Sequence, residues 1–241
     1  MPEAIQSPET IRARLDEVRQ RVEASAQRSH RAPEEVRIIA VTKTHPLHVI
    51  QQAIEAGARD FGENRIQEAE EKIEKLGHAN ARWHLIGHLQ SNKARRAVQY
   101  FDCIHSVDSG ALAERLNRLC TDENRDELPI LIQVDLAGEA TKSGVSETEL
   151  PEVVATIRNC ERLRLMGLMT LPPFFENAEL VRPYFRRLRE IRDALRSQDI
   201  FKAGDGELSM GMSHDYEVAT EEGATMVRIG TAIFGAGPAA L

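Results

Sequence analysis

Cysteine, aromatic residues and long apolar runs are scarce in this sequence of 241 residues. Its three cysteines, Cys103, Cys120 and Cys160, lie far apart and form neither a CxxC pair nor a zinc-binding pattern. That spacing excludes a disulfide framework and predicts reduced thiols, which are typical of the cytoplasm. No stretch approaches the roughly 18 uninterrupted apolar residues of a membrane span, and the N-terminus lacks the features of a secretory signal. We therefore expect a soluble, cytoplasmic protein without a membrane partner.

A general surplus of positive charge is also absent. The net charge of −7 excludes a broad polyanion-binding surface. A nucleic-acid-binding module could be assembled from the basic run at 93–96 or from the arginines between Arg186 and Arg196. Glu190 and Asp193 interrupt the second group, so a solvated helix face is the simpler interpretation. We expect no nucleic acid among the partners.

What the sequence does contain is a regular alternation of apolar strands and amphipathic helices. Strands are predicted at residues 37–43, 59–64, 83–87, 102–107, 129–136, 163–169, 207–209 and 224–229. One more helix, starting at 7–9, precedes the first strand. Eight strands are the number that closes a (β/α)8 TIM barrel, an α/β fold. An open, doubly wound sheet is the alternative, but no GxGxxG motif follows the first strand.

No linker of low complexity divides this pattern. We therefore predict a single domain over residues 1–241, with its core at about 8–236. The last strand lacks a long helix after it, and our hypothesis is that the extra N-terminal helix covers that side of the barrel.

Lys43 stands at the carboxyl end of the first predicted strand, directly before a break at Thr44, His45 and Pro46. Ligands of parallel α/β proteins bind at that end of the strands. Partial burial there would favour the uncharged, nucleophilic amine, which could form a Schiff base with an aldehyde or ketone. Alternatively, the lysine only extends from the strand end into solvent.

Two loops near the end of the chain pair glycine with hydroxyl residues, at 209–213 and at 230–232. Glycine lets backbone N–H groups approach an anion, and serine or threonine adds a hydroxyl donor. Barrels often bind phosphate in the loops after strands seven and eight. The two loops therefore predict a phosphate site, unless their glycines only form turns and their hydroxyls only cap helices.

Arg228 lies in the eighth predicted strand, where alternation places it on one face with Met226 and Gly230. It could pair with an acid such as Glu207, lie on the outside of the barrel, or face a bound ligand. An amine, a phosphate site and an inward arginine together suggest pyridoxal 5′-phosphate (PLP). Its aldehyde would react with Lys43, and its ring nitrogen would face Arg228.

Seven blocks of the sequence resemble the family of pyridoxal phosphate homeostasis proteins. They occur in that family's order and span most of the chain. The blocks are AVTKT at 40–44, FGEN at 61–64, WHLIGHLQSNK at 83–93, KSG at 142–144, GLM at 167–169, LSMGMS at 208–213 and VRIGTAIFG at 227–235.

This resemblance implies a fold-type III PLP barrel, like the N-terminal domain of alanine racemase. It implies that Lys43 holds PLP as a Schiff base and that Arg228 lies beside the pyridine nitrogen. Loop residues at 209–213 and 230–231 would bind the phosphate, and side chains at the ends of strands two and three would neighbour the ring. The predicted cofactor-binding residues are Lys43, Asn64, His84, Ser209, Met210, Gly211, Ser213, Arg228, Gly230 and Thr231.

The predicted role is intracellular PLP homeostasis without catalysis. An arginine cannot accept a proton, so a ring nitrogen beside Arg228 should stay unprotonated and PLP should be a weaker electron sink. Racemases of this fold add a second, β-rich domain with a catalytic tyrosine, whereas this chain ends near its eighth strand. The resemblance also implies a family that has no established catalytic activity. We expect a monomer whose partners are PLP and, as candidates, PLP-dependent apoenzymes.

Two enzyme interpretations stay open. A PLP-dependent, racemase-like amino-acid enzyme would need a second acid–base group, for which His84 and Tyr216 are the candidates. An aldolase without PLP would use Lys43 and bind a phosphosugar in the same loops, and the purified protein would then be colourless.

Two other conspicuous features receive no role. His84 and His88 have a spacing that suits a metal only on a helix, and Gly87 lies between them at a strand end, so we predict no metal site. Lys142, in a polar loop, is expected to be solvated.

Overall fold

The structure is a computed structural model that describes residues 8–138, 143–201 and 204–235. In it, parallel strands form a barrel that is surrounded by helices. The strands are β1 (Arg37–Val41), β2 (Asp60–Glu63), β3 (Arg82–Leu85), β4 (Cys103–Val107), β5 (Leu128–Gln133), β6 (Leu163–Met169), β7 (Glu207–Met212) and β8 (Met226–Ile229). The helices are α1 (Pro8–Arg28), α2 (Leu47–Glu55), α3 (Ile66–Leu76), α4 (Ala94–Tyr100), α5 (Gly110–Asp122), α6 (Leu150–Arg158), α7 (Arg182–Arg196), α8 (Tyr216–Glu221) and α9 (Thr231–Phe234).

The sheet closes on itself. Each strand pairs in parallel with the next, and β8 pairs in parallel with β1. Ile39 of β1 therefore lies opposite Asp60 on one side and opposite Arg228 on the other. This closure confirms the predicted (β/α)8 barrel and excludes the open, doubly wound sheet.

Alternation along the strands separates two environments. Phe61 and Trp83 belong to the large hydrophobic core between the sheet and the helices, where their rings pack 5.4 Å apart. Their neighbours Asp60 and His84 point the other way, into the barrel. Helices pack their buried apolar residues into this core, as α5 does with Leu112 and Leu116. Among the residues that the structure describes, no helix combines the length and apolar character needed to cross a membrane.

All strands except β6 differ from the predicted bounds by one to three residues at one end or both. The differences at β1 and β7, and a short helix after β8, concern the predicted cofactor residues. β1 ends at Val41 and not at Lys43, because the backbone turns sharply at Thr44. β7 continues to Met212, so that three residues predicted as a loop belong to the strand. A short helix, α9, follows β8, where the sequence showed no long one.

The hypothesis for the N-terminal helix is confirmed. α1 packs against α2, α8 and α9 and buries Ile11, Leu15, Val18 and Val22. It covers the side of the barrel on which α9 has only four residues. α8 and α9 precede and follow β8, the strand that carries Arg228.

Gly167 of β6 is enclosed by the backbone of β7. A Cβ added there would lie 2.0 Å from the carbonyl oxygen of Glu207 and 2.5 Å from its nitrogen. Both atoms belong to the paired strand, so they cannot rotate away. Gly77 differs, because it has a φ of +67° but no atom within 4 Å of an added Cβ.

We predict that Gly167→Ala destabilises the protein more than Gly77→Ala does. The first change forces two paired strands apart, which should cost about 3 kcal/mol or more. The second imposes on alanine only a backbone conformation (φ +67°, ψ −166°) that is almost restricted to glycine, which should cost on the order of 1–3 kcal/mol. The free energy of unfolding in urea measures both. Equal losses would contradict the close contact between β6 and β7.

Candidate functional site

The turn after β1 carries Lys43 at the carboxyl end of the barrel. Lys43 is exposed, so the partial burial expected from the sequence is not observed. Thr44 has a φ of +66°, which is unusual for a β-branched residue and costs on the order of 1–3 kcal/mol. Within the turn, the His45 N–H donates to the carbonyl oxygen of Thr42 at 3.1 Å, and Thr44 Oγ1 donates to that of Lys43 at 2.6 Å. Lys43 therefore projects from a strained turn that contains two hydrogen bonds of its own.

A buried ammonium group from α3 lies directly behind this turn. Lys72 is 5% exposed, and its Nζ donates to the Thr42 carbonyl oxygen at 2.8 Å. It also donates to Glu63 Oε1 at 2.8 Å and to Glu68 Oε1 at 2.7 Å. Glu68 accepts in turn from the Thr44 N–H, and Glu63 accepts from Thr42 Oγ1 at 2.6 Å. Burial raises the pKa of Glu63, and the charge of Lys72 opposes that rise.

The loops after β7 and β8 meet at the hydroxyl of Ser213. Its Oγ accepts from the backbone N–H groups of Gly230 at 3.2 Å and Ala232 at 3.3 Å. Gly230 also lies beside the end of β1, since an added Cβ there would be 3.6 Å from the Cβ and carbonyl oxygen of Val41. Thr231 is exposed at the start of α9. The structure thus gathers Ser213, Gly230 and Thr231, three of the predicted phosphate residues, next to the strand that leads to Lys43.

Arg228 points into the barrel beneath these loops. The residue is 3% exposed, and its guanidinium donates to Ser209 Oγ at 2.6 Å and to the carbonyl oxygen of Thr170 at 2.8 Å. Both of these acceptors are neutral. Burial lowers the pKa of Arg228 to about 10, while the negative charge of Asp215 opposes the change. The side chain therefore stays charged at neutral pH.

A chain of hydrogen bonds, which we name the interior relay, crosses the barrel from Arg228 through Ser209, His105 and His84 to Asp60. Ser209 Oγ lies 2.9 Å from His105 Nδ1. His105 Nε2 lies 2.9 Å from His84 Nδ1, and His84 Nε2 lies 2.9 Å from Asp60 Oδ1. A guanidinium only donates and a carboxylate only accepts, so every group in between donates towards Asp60. Both imidazoles are then neutral, with their hydrogen on Nε2.

The protonation states of the relay follow from burial and charge. Burial lowers the pKa of His105 well below its ordinary value, and neighbouring charges lower it further. Burial also lowers the pKa of His84, although Asp60 opposes the effect. At Asp60, burial alone would raise the pKa. The hydrogen bond from His84 and the charges of Arg37 and Arg82 outweigh it, and the pKa of Asp60 is lowered.

Three predicted cofactor residues have other positions in the structure. Ser209 is fully buried within the interior relay, beneath the mouth of the barrel. Met210 is also fully buried, on the outer side of β7, where it packs in the hydrophobic core. Gly211 has a φ of +90°, and an added Cβ would lie 2.5 Å from the Cβ of Ala219. Gly211 therefore allows α8 to pack on β7, and neither the hydroxyl of Ser209 nor the side chain of Met210 is exposed at the mouth of the barrel.

The two predicted ring neighbours differ. His84 is 1% exposed and has hydrogen bonds at both ring nitrogens, so neither nitrogen is open to a ligand. Asn64 follows β2 and is half-buried beside Gly87, where an added Cβ would lie 2.3 Å from the Asn64 carbonyl oxygen. Asn64 therefore stays a candidate ring neighbour. Lys142 lies outside the described residues.

Within the described part of the chain, the possible metal-ligand atoms of His84, Cys103 and His105 lie within 4.8 Å of one another. Both imidazoles use both ring nitrogens in the relay. Burial raises the pKa of the Cys103 thiol to about 12, so the thiol stays protonated. The group is therefore explained by the relay and an inert thiol next to it.

The arginines of α7 pair with carboxylates. Arg182, Arg186 and Arg189 surround Glu222, which is 4% exposed, at 2.9–3.2 Å. Arg187 pairs with Glu147 at 2.7 Å. These contacts join α7 to neighbouring elements.

Four residues of these networks were not identified from the sequence. Asp60 and His105 alternate inward in their strands, so their face could have been predicted, but not their partners. Glu68 and Lys72 have the i,i+4 spacing of an ordinary surface ion pair on a helix. Nothing in the sequence indicates that this pair lies behind the turn of Lys43.

Comparisons with known proteins agree with this architecture. The family model described as "Alanine racemase, N-terminal domain" matches residues 13–238. The pyridoxal phosphate homeostasis protein of Aquifex aeolicus is 41% identical over 222 residues, which cover 92% of this chain and 96% of that protein. The protein of the same name from Escherichia coli K12 is 43% identical over 228 residues, covering 92% and 94%.

Solved structures give the same result. PipY of Synechococcus elongatus without PLP superposes with a TM-score of 0.83 at 39% identity, covering 93% of this chain and 100% of that chain. PipY with PLP bound gives a TM-score of 0.79 at 38% identity, with the same coverage. The chain therefore belongs to the family of the alanine racemase N-terminal domain, and within it is similar to the pyridoxal phosphate homeostasis proteins.

Proposed function

We propose that this protein binds PLP, holds it covalently on Lys43 and serves intracellular PLP homeostasis. The observation that carries the proposal is the buried, charged Arg228. It lies beneath the loops that converge on Ser213 and beside the strand that leads to Lys43. A cation in this position fits a ligand that offers an acceptor to the barrel and a phosphate to the loops.

The residues at the mouth fit the three chemical groups of PLP. Ser213, Gly230 and Thr231 offer a hydroxyl group and a glycine-containing backbone for the phosphate. Arg228 offers N–H donors to the ring nitrogen and does not transfer a proton to that nitrogen. Lys43 offers the amine, and PLP supplies an aldehyde, whose condensation with an amine forms a C=N bond and releases the aldehyde oxygen as water.

The relatives support the same function. The proteins of A. aeolicus and E. coli carry the name pyridoxal phosphate homeostasis protein, and each is covered over more than nine tenths of its length. PipY, of similar fold and 38% identity, has been solved with PLP bound. PLP-dependent apoenzymes would be the receivers of the cofactor, and we place the protein in the cytoplasm as a monomer.

We further propose that the protein is a carrier and not an enzyme. The two candidates for a second acid–base group were His84 and Tyr216. Both ring nitrogens of His84 are occupied inside the barrel. Tyr216 is 4% exposed and packs in the hydrophobic core at the start of α8. Neither side chain is placed to exchange a proton with a ligand above Lys43.

We predict that Lys43→Ala abolishes covalent PLP binding. Wild-type protein incubated with PLP should show a visible absorption band, and borohydride should convert it into a stable adduct that mass spectrometry locates on Lys43. Lys75→Ala, which removes an exposed lysine from α3, is the matched control and should behave as wild type. A colourless wild-type protein would support the PLP-free aldolase, and an unchanged adduct in Lys43→Ala would assign the anchor elsewhere.

Arg228→Gln should remove the preference of the protein for a ligand that has a nitrogen, and not a carbon, at this position of the ring. Wild type should bind PLP about tenfold or more tightly than 1-deaza-PLP, which has carbon at that ring position, because a hydrogen bond to a charged donor is lost. Arg228→Gln should bind the two ligands within about twofold of each other. Equilibrium titration measures all four affinities. A preference that persists in the variant would place Arg228 away from the ring nitrogen.

Incubation of the PLP-loaded protein with a panel of L-amino acids should yield no D-enantiomers or keto acids above the rate of free PLP. Chiral chromatography measures the products, and the Lys43→Ala variant provides the background. Turnover that depends on Lys43 would replace the carrier proposal by the racemase-like enzyme.

A further inference from the structure

The turn that carries Lys43 is bound on both sides by one ion-pair network, of which Lys72 and Glu63 are buried. Thr44 adopts a left-handed conformation that β-branched residues rarely take, so a force other than local preference must hold it there. Its N–H donates to the carboxylate of Glu68. On the other side of Lys43, the carbonyl oxygen of Thr42 accepts from Lys72.

The same two side chains are bound to each other. Lys72 Nζ lies 2.7 Å from Glu68 Oε1, and its remaining hydrogen bond goes to Glu63 Oε1. The three hydrogens of the ammonium group therefore have three oxygen acceptors, which fixes the side chain in one position. Glu63 is fully buried at the end of β2, so the network is anchored in the barrel itself.

We propose that Lys72 and Glu68 are positioning residues for Lys43. They connect the peptide groups on both sides of Lys43 to the rigid end of β2, and so hold the amine in one direction over the mouth of the barrel. This inference rests on the proposed function of Lys43 as the covalent anchor of PLP. It adds that the rate of bond formation depends on two residues that do not themselves contact the ligand.

A purely structural ion pair would have a different signature. Such a pair would support binding of the ring, binding of the phosphate and covalent bond formation equally. A positioning pair acts on the amine alone, because Ser213, Gly230 and Arg228 lie on β7 and β8 and their loops and do not depend on the turn after β1. A misplaced amine loses much of the advantage of an oriented reaction, while non-covalent contacts persist.

The test compares PLP with pyridoxine 5′-phosphate, whose alcohol replaces the aldehyde and prevents covalent bonding. The variants are Lys72→Met and Glu68→Ala. Glu68 is 28% exposed, so the second variant keeps the buried pair of Lys72 and Glu63 and should fold even if the first does not. Lys75→Met and Glu71→Ala remove exposed charges from the same helix and are the matched controls.

Both variants should form the visible PLP band at least about tenfold more slowly than wild type in stopped-flow absorbance. Their affinity for pyridoxine 5′-phosphate, measured by calorimetry, should stay within about twofold of wild type, and the controls should match wild type in both. Unchanged rates in Glu68→Ala, or an equal loss for both ligands, would overturn the inference. A wild type without a borohydride-reducible band would instead contradict the proposed function.

Discussion

Arg228 is a cation inside a barrel, and the arrangement of its surroundings follows from that constraint. Removing a charged group from water costs several kcal/mol unless polar partners replace the lost solvation. The two described acceptors, Ser209 and the carbonyl oxygen of Thr170, are neutral, and the negative charge of Asp215 acts on Arg228 without a described hydrogen bond. The interior relay reaches a carboxylate only at Asp60, three hydrogen bonds beyond Ser209. A hydrogen-bond acceptor of a ligand above Arg228 would therefore bind to a charged donor whose direction is already fixed.

The relay and the Lys72 network occupy opposite sides of the sheet. The relay lies inside the barrel and fixes the guanidinium, whereas Lys72 reaches from α3 on the outside and holds the turn of Lys43. Each network ends on a residue of β2, Asp60 for the first and Glu63 for the second. β2 therefore supports both the predicted covalent anchor and the predicted ring contact, although the cofactor site was identified mainly from other strands.

The sequence was sufficient to predict the barrel and the end of the barrel at which the candidate site lies. Apolar runs that alternate with helical patterns specify parallel strands, and Lys43, Ser213 and Gly230 stand at strand ends, where such folds bind ligands. The seventh strand was predicted to end at Ser209, whereas β7 continues through Met210 and the glycine after it to Met212. The partners of buried charges were not predictable, since alternation gives the face of His105 but not the distance across the barrel to Ser209.

The most direct test of this account is ¹⁵N NMR of the protein loaded with PLP that is labelled at the ring nitrogen. Arg228 is a fixed cation and only donates, so the account predicts the chemical shift of an unprotonated, hydrogen-bonded pyridine nitrogen at neutral pH. The shift of a protonated pyridinium would contradict it, because a guanidinium cannot lie beside that nitrogen as a donor when the nitrogen already carries a hydrogen.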